Sequence, residues 1–253
     1  MLVAPGHSDE ALEVHERMLG ACPAPSRHID GGSGRRVHVI EAGAGPPVLI
    51  LHGSSTSSLS ILPLLEHLEG VRAVAIDRPG VGLSDAVHVP RERFRDAAGE
   101  FLDGVADDLG LDTFALAGNS MGGTWALWYA LAHPERVQAL VLLGSAPLLP
   151  GTRVPMPLRV SAAPVVGDLL KRVVKRNAKM VGRLMSSMGE KDTIVRYPDL
   201  VDAIVAAGKD PTASAVNLAE LRAAISSFGF RRSIASTPGG AAAPDRAHAV
   251  DMG

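Results

Sequence analysis

Residues 114–123 read Phe-Ala-Leu-Ala-Gly-Asn-Ser-Met-Gly-Gly, a short apolar run that passes into a serine flanked by glycines. Phe114–Ala117 suits a buried strand, and Met121–Ala132 continues with helical composition, so Ser120 stands at a strand-to-helix turn. A turn that sharp holds its central residue at backbone angles most side chains avoid, and its neighbours must be small. Gly118 and Gly122 supply that room. The turn lifts the Ser120 hydroxyl above the C-terminal edge of a sheet, where α/β proteins build their sites. The helix that follows offers free N–H groups and a positive dipole end to developing negative charge. The bland alternative is a glycine-rich turn carrying an accidental serine.

On either side the chain alternates strands with helices. Leu12, His15 and Leu19 share one helical face over residues 8–20, and Pro23 and Pro25 end that segment. Ser26–Ile29, a glycine-rich turn at 30–34 and Arg35–Glu41 form a hairpin signal. Pro47–Leu51 and Val71–Ile76 are continuous apolar runs, the pattern of strands buried on both faces. Helices are expected at Ile61–Leu68 and Arg91–Leu109, and a further strand at Val137–Leu143. The alternation predicts a mainly parallel sheet flanked by helices. After Gly144 the pattern changes. Pro147, Pro150, Pro155, Pro157 and Pro164 make Ala146–Pro164 a linker, and 167–188, 198–208 and 212–227 follow as helices with no strand between them. The expected organisation is an N-terminal helix and linker (1–25), an α/β core (26–149), a helical lid (150–228) and a short disordered tail (229–253), the tail being rich in Ala, Gly and Pro without periodicity.

Two more motifs stand beside strands. Leu51-His52-Gly53-Ser54-Ser55 follows the first buried run, and Asp77-Arg78-Pro79-Gly80-Val81-Gly82-Leu83-Ser84-Asp85 follows the second. His52 is taken as a buttress of its loop, and Asp77 and Asp85 as parts of a turn without catalytic roles.

In order and spacing, these three motifs resemble those of the α/β-hydrolase family over residues 26 to about 145. Gly118-Asn119-Ser120-Met121-Gly122-Gly123 is similar in particular to the lidded hydrolases that cleave carbon–carbon bonds in ring-fission (meta-cleavage) products, and to related esterases. The resemblance implies a serine hydrolase in which Ser120 attacks an ester or related carbonyl, while the backbone N–H groups of Ser54 and Met121 form the oxyanion hole. It implies no metal and no organic cofactor. Apolar lid residues such as Val165, Leu169, Met180 and Leu184 suit a small apolar ester or ketone-type substrate, and lid–core packing accounts for most of them equally well.

In this family the acid and the histidine come after the serine. Only His133 and His248 follow Ser120. His133 lies past the end of the same helix, roughly 20 Å away at the helical rise per residue. Asp245 and His248 stand in the featureless tail, and ordering that tail over Ser120 would cost about 1–2 kcal/mol per residue. Neither a Gly-Asp nor a Gly-His turn follows the helical block. The reading is therefore of a family member truncated before its last strands, and the alternative to an active enzyme is a catalytically impaired remnant. Such a chain is expected to leave Val137–Leu143 as a sheet edge and one sheet face bare, and so to self-associate.

Composition closes off other classes. Lys+Arg is 25 against Asp+Glu 27, a net charge of -2, so no basic excess points to nucleic acid or an anionic membrane. The single Cys22 cannot pair within the chain, and no apolar run approaches the ~20 residues that span a bilayer. A cytoplasmic protein is expected.

Overall fold

The computed structural model describes residues 7–22, 24–32, 34–87, 91–144, 156–167, 169, 177–226 and 229–230. Six strands make one sheet: β1 (Ser26–Asp30), β2 (Arg36–Ala42), β3 (Pro47–Leu51), β4 (Arg72–Ile76), β5 (Phe114–Asn119) and β6 (Val137–Leu143), in spatial order β1-β2-β4-β3-β5-β6. β1 with β2, and β2 with β4, run antiparallel. β4, β3, β5 and β6 run parallel. The chain leaves β3 toward β4 on one side and then crosses back to β5 on the other. The C-terminal ends of β3 and β5 thus flank the point where the strand order reverses, the crevice in which open α/β sheets place ligands.

The helices are α1 (Asp9–Ala21), α2 (Leu62–Leu65), α3 (Phe94–Asp108), α4 (Met121–Ala132), α5 (Met156–Ala162), α6 (Ala178–Ser187), α7 (Lys191–Arg196), α8 (Asp199–Lys209) and α9 (Pro211–Ala224). A minimal hairpin, β7 (Ile225–Ser226) with β8 (Gly229–Phe230), follows α9. Alternation along the strands sorts the core into two layers. Leu49, Leu51, Val74, Ile76 and Leu116 face α3 and α4, meeting Phe101, Leu102, Trp125 and Tyr129. Ile40, Ile50, Ala73, Ala75 and Ala117 face the other way, onto Val14 and Met18 of α1, Leu62 and Leu65 of α2, and Leu200, Ala203 and Ala206 of α8.

That second layer differs from the bare sheet face expected from sequence. α1 and α8 lie against each other through Lys209–Glu10 at 2.5 Å and Arg17–Asp199 at 3.2 Å, and together they cover the face over β2 to β5. Among the described sheet residues, exposed large apolar side chains fall on β6, where Val141 is 46% exposed and no described strand pairs with the outer edge.

Other departures are local. Ile61–Leu68 narrows to a 3-10 turn at Ser58–Ile61 and the single turn α2, after which His67 N–H bonds to Leu64 and the coil tightens. Part of the expected linker, Met156–Ala162, is helix α5, with Pro157 in its first turn where a missing N–H costs nothing. The helix expected over 167–188 is described as α6 from Ala178, where Asn177 Oδ1 accepts the Met180 N–H at 2.9 Å. Gly189 at φ 91° ends it, and α7 then starts separately. The tail at 231–253 lies outside the described residues.

Asp210 joins the two ends of the fold. Its carboxylate accepts the Ala213 N–H at 2.7 Å as the N-cap of α9 and the Ser8 N–H at 2.7 Å at the start of α1, with His7 Nδ1 3.2 Å away. Burial would raise its pKa, but His7 and the two N–H groups hold it below the usual range. Asp210→Ala removes a cap and the α1 anchor together. The expected loss is about 2 kcal/mol, measured by urea melts, with earlier proteolytic nicking near α1; an unchanged midpoint would show that α1 is held by its apolar contacts alone.

Candidate active site

β5 ends at Asn119 and α4 begins at Met121, leaving Ser120 alone at φ 50°, ψ −112°. Such angles cost a residue with a side chain about 1–3 kcal/mol. They persist because both sides of the turn are tied down. The Ser120 N–H bonds to Leu143 O at 2.9 Å and the Thr124 N–H to Ser120 O at 3.1 Å, while Asn119 Nδ2 also donates to Leu143 O at 3.1 Å. The flanking glycines are required sterically. A Cβ on Gly118 would lie 2.4 Å from the carbonyl of Gly122, and one on Gly122 would lie 2.4 Å from Leu51 O.

Strand register brings the second motif to the first. Leu51 stands opposite Gly118 in the parallel pairing of β3 with β5, so His52-Gly53-Ser54 leaves the sheet beside the elbow. A Cβ on Gly53 would sit 3.5 Å from Ser120 Cβ and 2.5 Å from Asn119 Oδ1. The Ser54 N–H has no hydrogen-bond partner among the described residues. Met121 is the first residue of α4, and its N–H is one of the donors a helix leaves unused at its start. The loop that carries Ser54 thus passes Ser120 at Gly53, and Met121 follows Ser120 directly in the chain.

Behind this junction lies a set of buried polar groups. His52 is fully buried; its Nδ1–H donates to Gly53 O at 2.8 Å and its Nε2 accepts the Arg78 N–H at 3.0 Å. Burial, with the Arg78 charge nearby, pushes this imidazole down to about 3. It is neutral with both nitrogens engaged, which makes it a brace for the loop. Asp77 is equally buried and binds the Ser58 N–H at 2.7 Å, the Leu83 N–H at 3.0 Å and His38 Nδ1 at 2.8 Å. Burial would raise its pKa, but those bonds hold it far below the usual carboxylate range. Gly82 makes room for it, since a Cβ there would sit 2.0 Å from Asp77 Oδ2. Asp85 binds the Arg36 N–H and side chain, each at 3.0 Å.

Sequence reasoning missed Arg78. It is fully buried, forms an ion pair with Glu220 of α9, donates from Nη2 to Gly53 O at 3.1 Å, and lies 5.3 Å from the centre of the Trp125 ring. Its place after a strand gave no sign of a partner so distant in the chain. Asn217 of α9 was also missed; its Oδ1 accepts the N–H of Ser55, a residue at φ 63°, at 2.9 Å.

No histidine bonds to the Ser120 side chain among the described residues. His133 caps the far end of α4, stacked on Tyr129 and 3.6 Å from Glu135. Asp245 and His248 lie outside the described residues. Among the described residues no group of three or more His, Cys, Asp or Glu is placed to hold a metal ion, and no helix is long and apolar enough to cross a membrane.

The model of the alpha/beta hydrolase fold family matches residues 46–187 of the chain. The chain belongs to that family. It is 38% identical over 135 residues to a 2-hydroxy-6-oxononadienedioate/2-hydroxy-6-oxononatrienedioate hydrolase of Paraburkholderia phymatum, covering 51% of this chain and 46% of that one. It is 36% identical over 135 residues to a 2-hydroxy-6-oxo-6-phenylhexa-2,4-dienoate hydrolase of Burkholderia cepacia, again 51% of this chain and 46% of the relative. The chain thus spans about half the length of these curated relatives. In structure it is similar to the 2-hydroxy-6-oxo-6-phenylhexa-2,4-dienoate hydrolase of Rhodococcus sp. strain RHA1, with TM-score 0.57 and 21% identity over 79% of this chain and 71% of that one, a likeness of fold.

The buried histidines set an acid limit on stability. An unfolded histidine titrates near 6.5, so as pH falls from there toward 3 the unfolded chain binds a proton that folded His52 refuses. By pH 5, where most carboxylates are still ionised, His52 alone costs about 2 kcal/mol relative to neutral pH. His15, lowered by burial, acts in the same direction; His7, which burial would lower but Asp210 raises, opposes it. The melting temperature is expected to drop between pH 7 and 5. His52→Asn, which keeps one donor and one acceptor without titrating, is expected to flatten that slope; a slope the same as wild type would mean another group controls it.

Proposed function

We propose that this chain is a serine hydrolase acting on an ester or related carbonyl substrate. The observation that carries the reading is the strained Ser120 at the head of α4, with Gly53 packed against it and the N–H groups of the next residue, Ser54, and of Met121 unused among the described residues. Ser120 Oγ adds to the carbonyl carbon or activates water to do so. The carbonyl electrons move to oxygen, where the two N–H groups stabilise the charge. Collapse expels the leaving group, which takes up the proton lost by the serine hydroxyl; water then adds to the acyl carbonyl, and its proton returns to Ser120 Oγ as the acid is released. The relatives' substrates, as named, carry a 6-oxo ketone together with one or two carboxylates, which supports a small ketone-type substrate for this chain. No metal or organic cofactor enters this scheme. With Cys22 free, the fold needs no oxidising compartment, which supports a cytoplasmic setting. The helical block expected at 150–228 would supply the lid over the site through helices other than α8, which packs with α1 on a sheet face. Hydrolysis of short-chain p-nitrophenyl esters is the test: Ser120→Ala is expected to abolish it, and turnover that survives this change would remove Ser120 from the chemistry.

A second reading rests on one observation, that no described histidine bonds to the Ser120 hydroxyl. The proton released on attack then has no positioned acceptor. Catalysis would be limited to the oxyanion hole and binding, a residual of about 10³–10⁴ over water. Ordinary esterase rates that are lost in both Ser120→Ala and His248→Ala would reject this reading and give the base to His248.

The outer edge of β6, with Val141, Leu142 and Leu143 all more than a third exposed, supports self-association through that edge. Size-exclusion chromatography is expected to show a concentration-dependent shift to larger species. A monodisperse monomer melting sharply above about 60 °C, independent of concentration, would mean that the edge is protected.

A further inference from the structure

Gly53 O and the Ser54 N–H belong to one peptide unit. In a trans peptide these two groups point in opposite directions, so fixing one aims the other. Gly53 O carries an unusual load: it accepts from His52 Nδ1 at 2.8 Å, Thr56 Oγ1 at 2.9 Å and Arg78 Nη2 at 3.1 Å. Three donors converge on an oxygen with two lone pairs, while the N–H at the other end of the unit has no partner among the described residues. Gly53 itself packs against Ser120, where an added Cβ would lie 3.5 Å from Ser120 Cβ, so the loaded peptide starts at the elbow.

Two of those donors are themselves held. His52 Nε2 accepts the Arg78 N–H, and the Arg78 guanidinium is ion-paired with Glu220 on α9. The same helix takes the next N–H of the loop, that of Ser55, on Asn217. α9 thus grips the loop at two points, once through each neighbouring peptide. A Cβ on Gly80 would lie 2.7 Å from Val216, so the helix also packs closely on the turn that carries Arg78.

We propose that Thr56 and Arg78, the latter braced by Glu220 of α9, are positioning residues that aim the Ser54 N–H at the oxyanion by loading the carbonyl of its own peptide. The inference rests on the serine-hydrolase reading and adds to it the residues that set the donor's direction. It also makes α9 part of the active-site frame, so that displacing this helix would loosen the oxyanion hole without touching Ser120.

The test is the rate at which an alkyl fluorophosphonate labels the purified full chain, followed by mass spectrometry. Ser120 Oγ bonds to phosphorus as fluoride leaves with the serine proton, and the phosphoryl oxygen occupies the oxyanion position. Thr56→Val keeps the shape of the side chain and removes the donor; it is expected to lower the maximal labelling rate about tenfold, with half-saturation within about twofold of wild type. Thr56→Ser, which restores a hydroxyl, is expected to recover the rate. Glu220→Gln should act in the same direction, and its melting temperature is recorded because it leaves a buried guanidinium without its counter-charge. A purely structural role for Thr56 would lower stability without this split between rate and half-saturation. If Ser120 is labelled and Thr56→Val reacts at the wild-type rate, the positioning role falls and the hydrolase reading stands. If the wild-type chain is not labelled at Ser120, the hydrolase reading falls and takes the positioning role with it.

Discussion

The close approach of α4 to the ends of β3 and β5 is the constraint on which the other features depend. Gly122 lies so near Leu51 O and His52 O that no side chain fits, and Gly118 lies against Gly122 in the same way. This contact lets the helix begin directly at the end of β5 and forces Ser120 into a positive-φ geometry. It also places the first N–H of the helix beside the loop that follows β3. Strain at one residue is accepted because its neighbours over-determine the turn.

Around this junction the molecule buries charge, and it does so in pairs. Asp77, fully buried, is surrounded by backbone N–H groups and His38, and Arg78 faces Glu220. Charges buried in this way add little net stability, because desolvation offsets much of the attraction from their partners. What they add here is definition. Asp77 ties β2, the turn before α2 and the loop from 78 to 85 to one point, while Arg78 ties β4, the loop after β3 and α9 to another. His52 sits between them, neutral because burial disfavours its protonation. The loops around Ser120 are held from behind by these groups.

Much of this was legible in the sequence. The bounds of β3, α4 and β6 follow directly from the apolar runs Pro47–Leu51, Met121–Ala132 and Val137–Leu143. The elbow was legible because its cause is local: a serine between glycines at the end of an apolar run has few other ways to fold. The helical block was less so. Helices α6 and α7 are separated by Gly189, and α5 falls within a proline-rich stretch, its own Pro157 occupying a permissive first-turn position. The cover of the second sheet face by α1 and α8 was not foreseen, because an amphipathic face announces that it will be buried without saying against what.

By itself the sequence determined the strand–helix alternation, the strained serine and the two glycine-bearing loops, all consequences of steric and periodic rules acting over a few residues. Only the tertiary structure decided which groups hold those loops in place. Arg78 meets Glu220 across 142 positions, and Ser55 meets Asn217 across 162. No local pattern encodes such pairings: a charged residue on a helix looks solvated until the packing of that helix removes water from it, and only then must it find a partner.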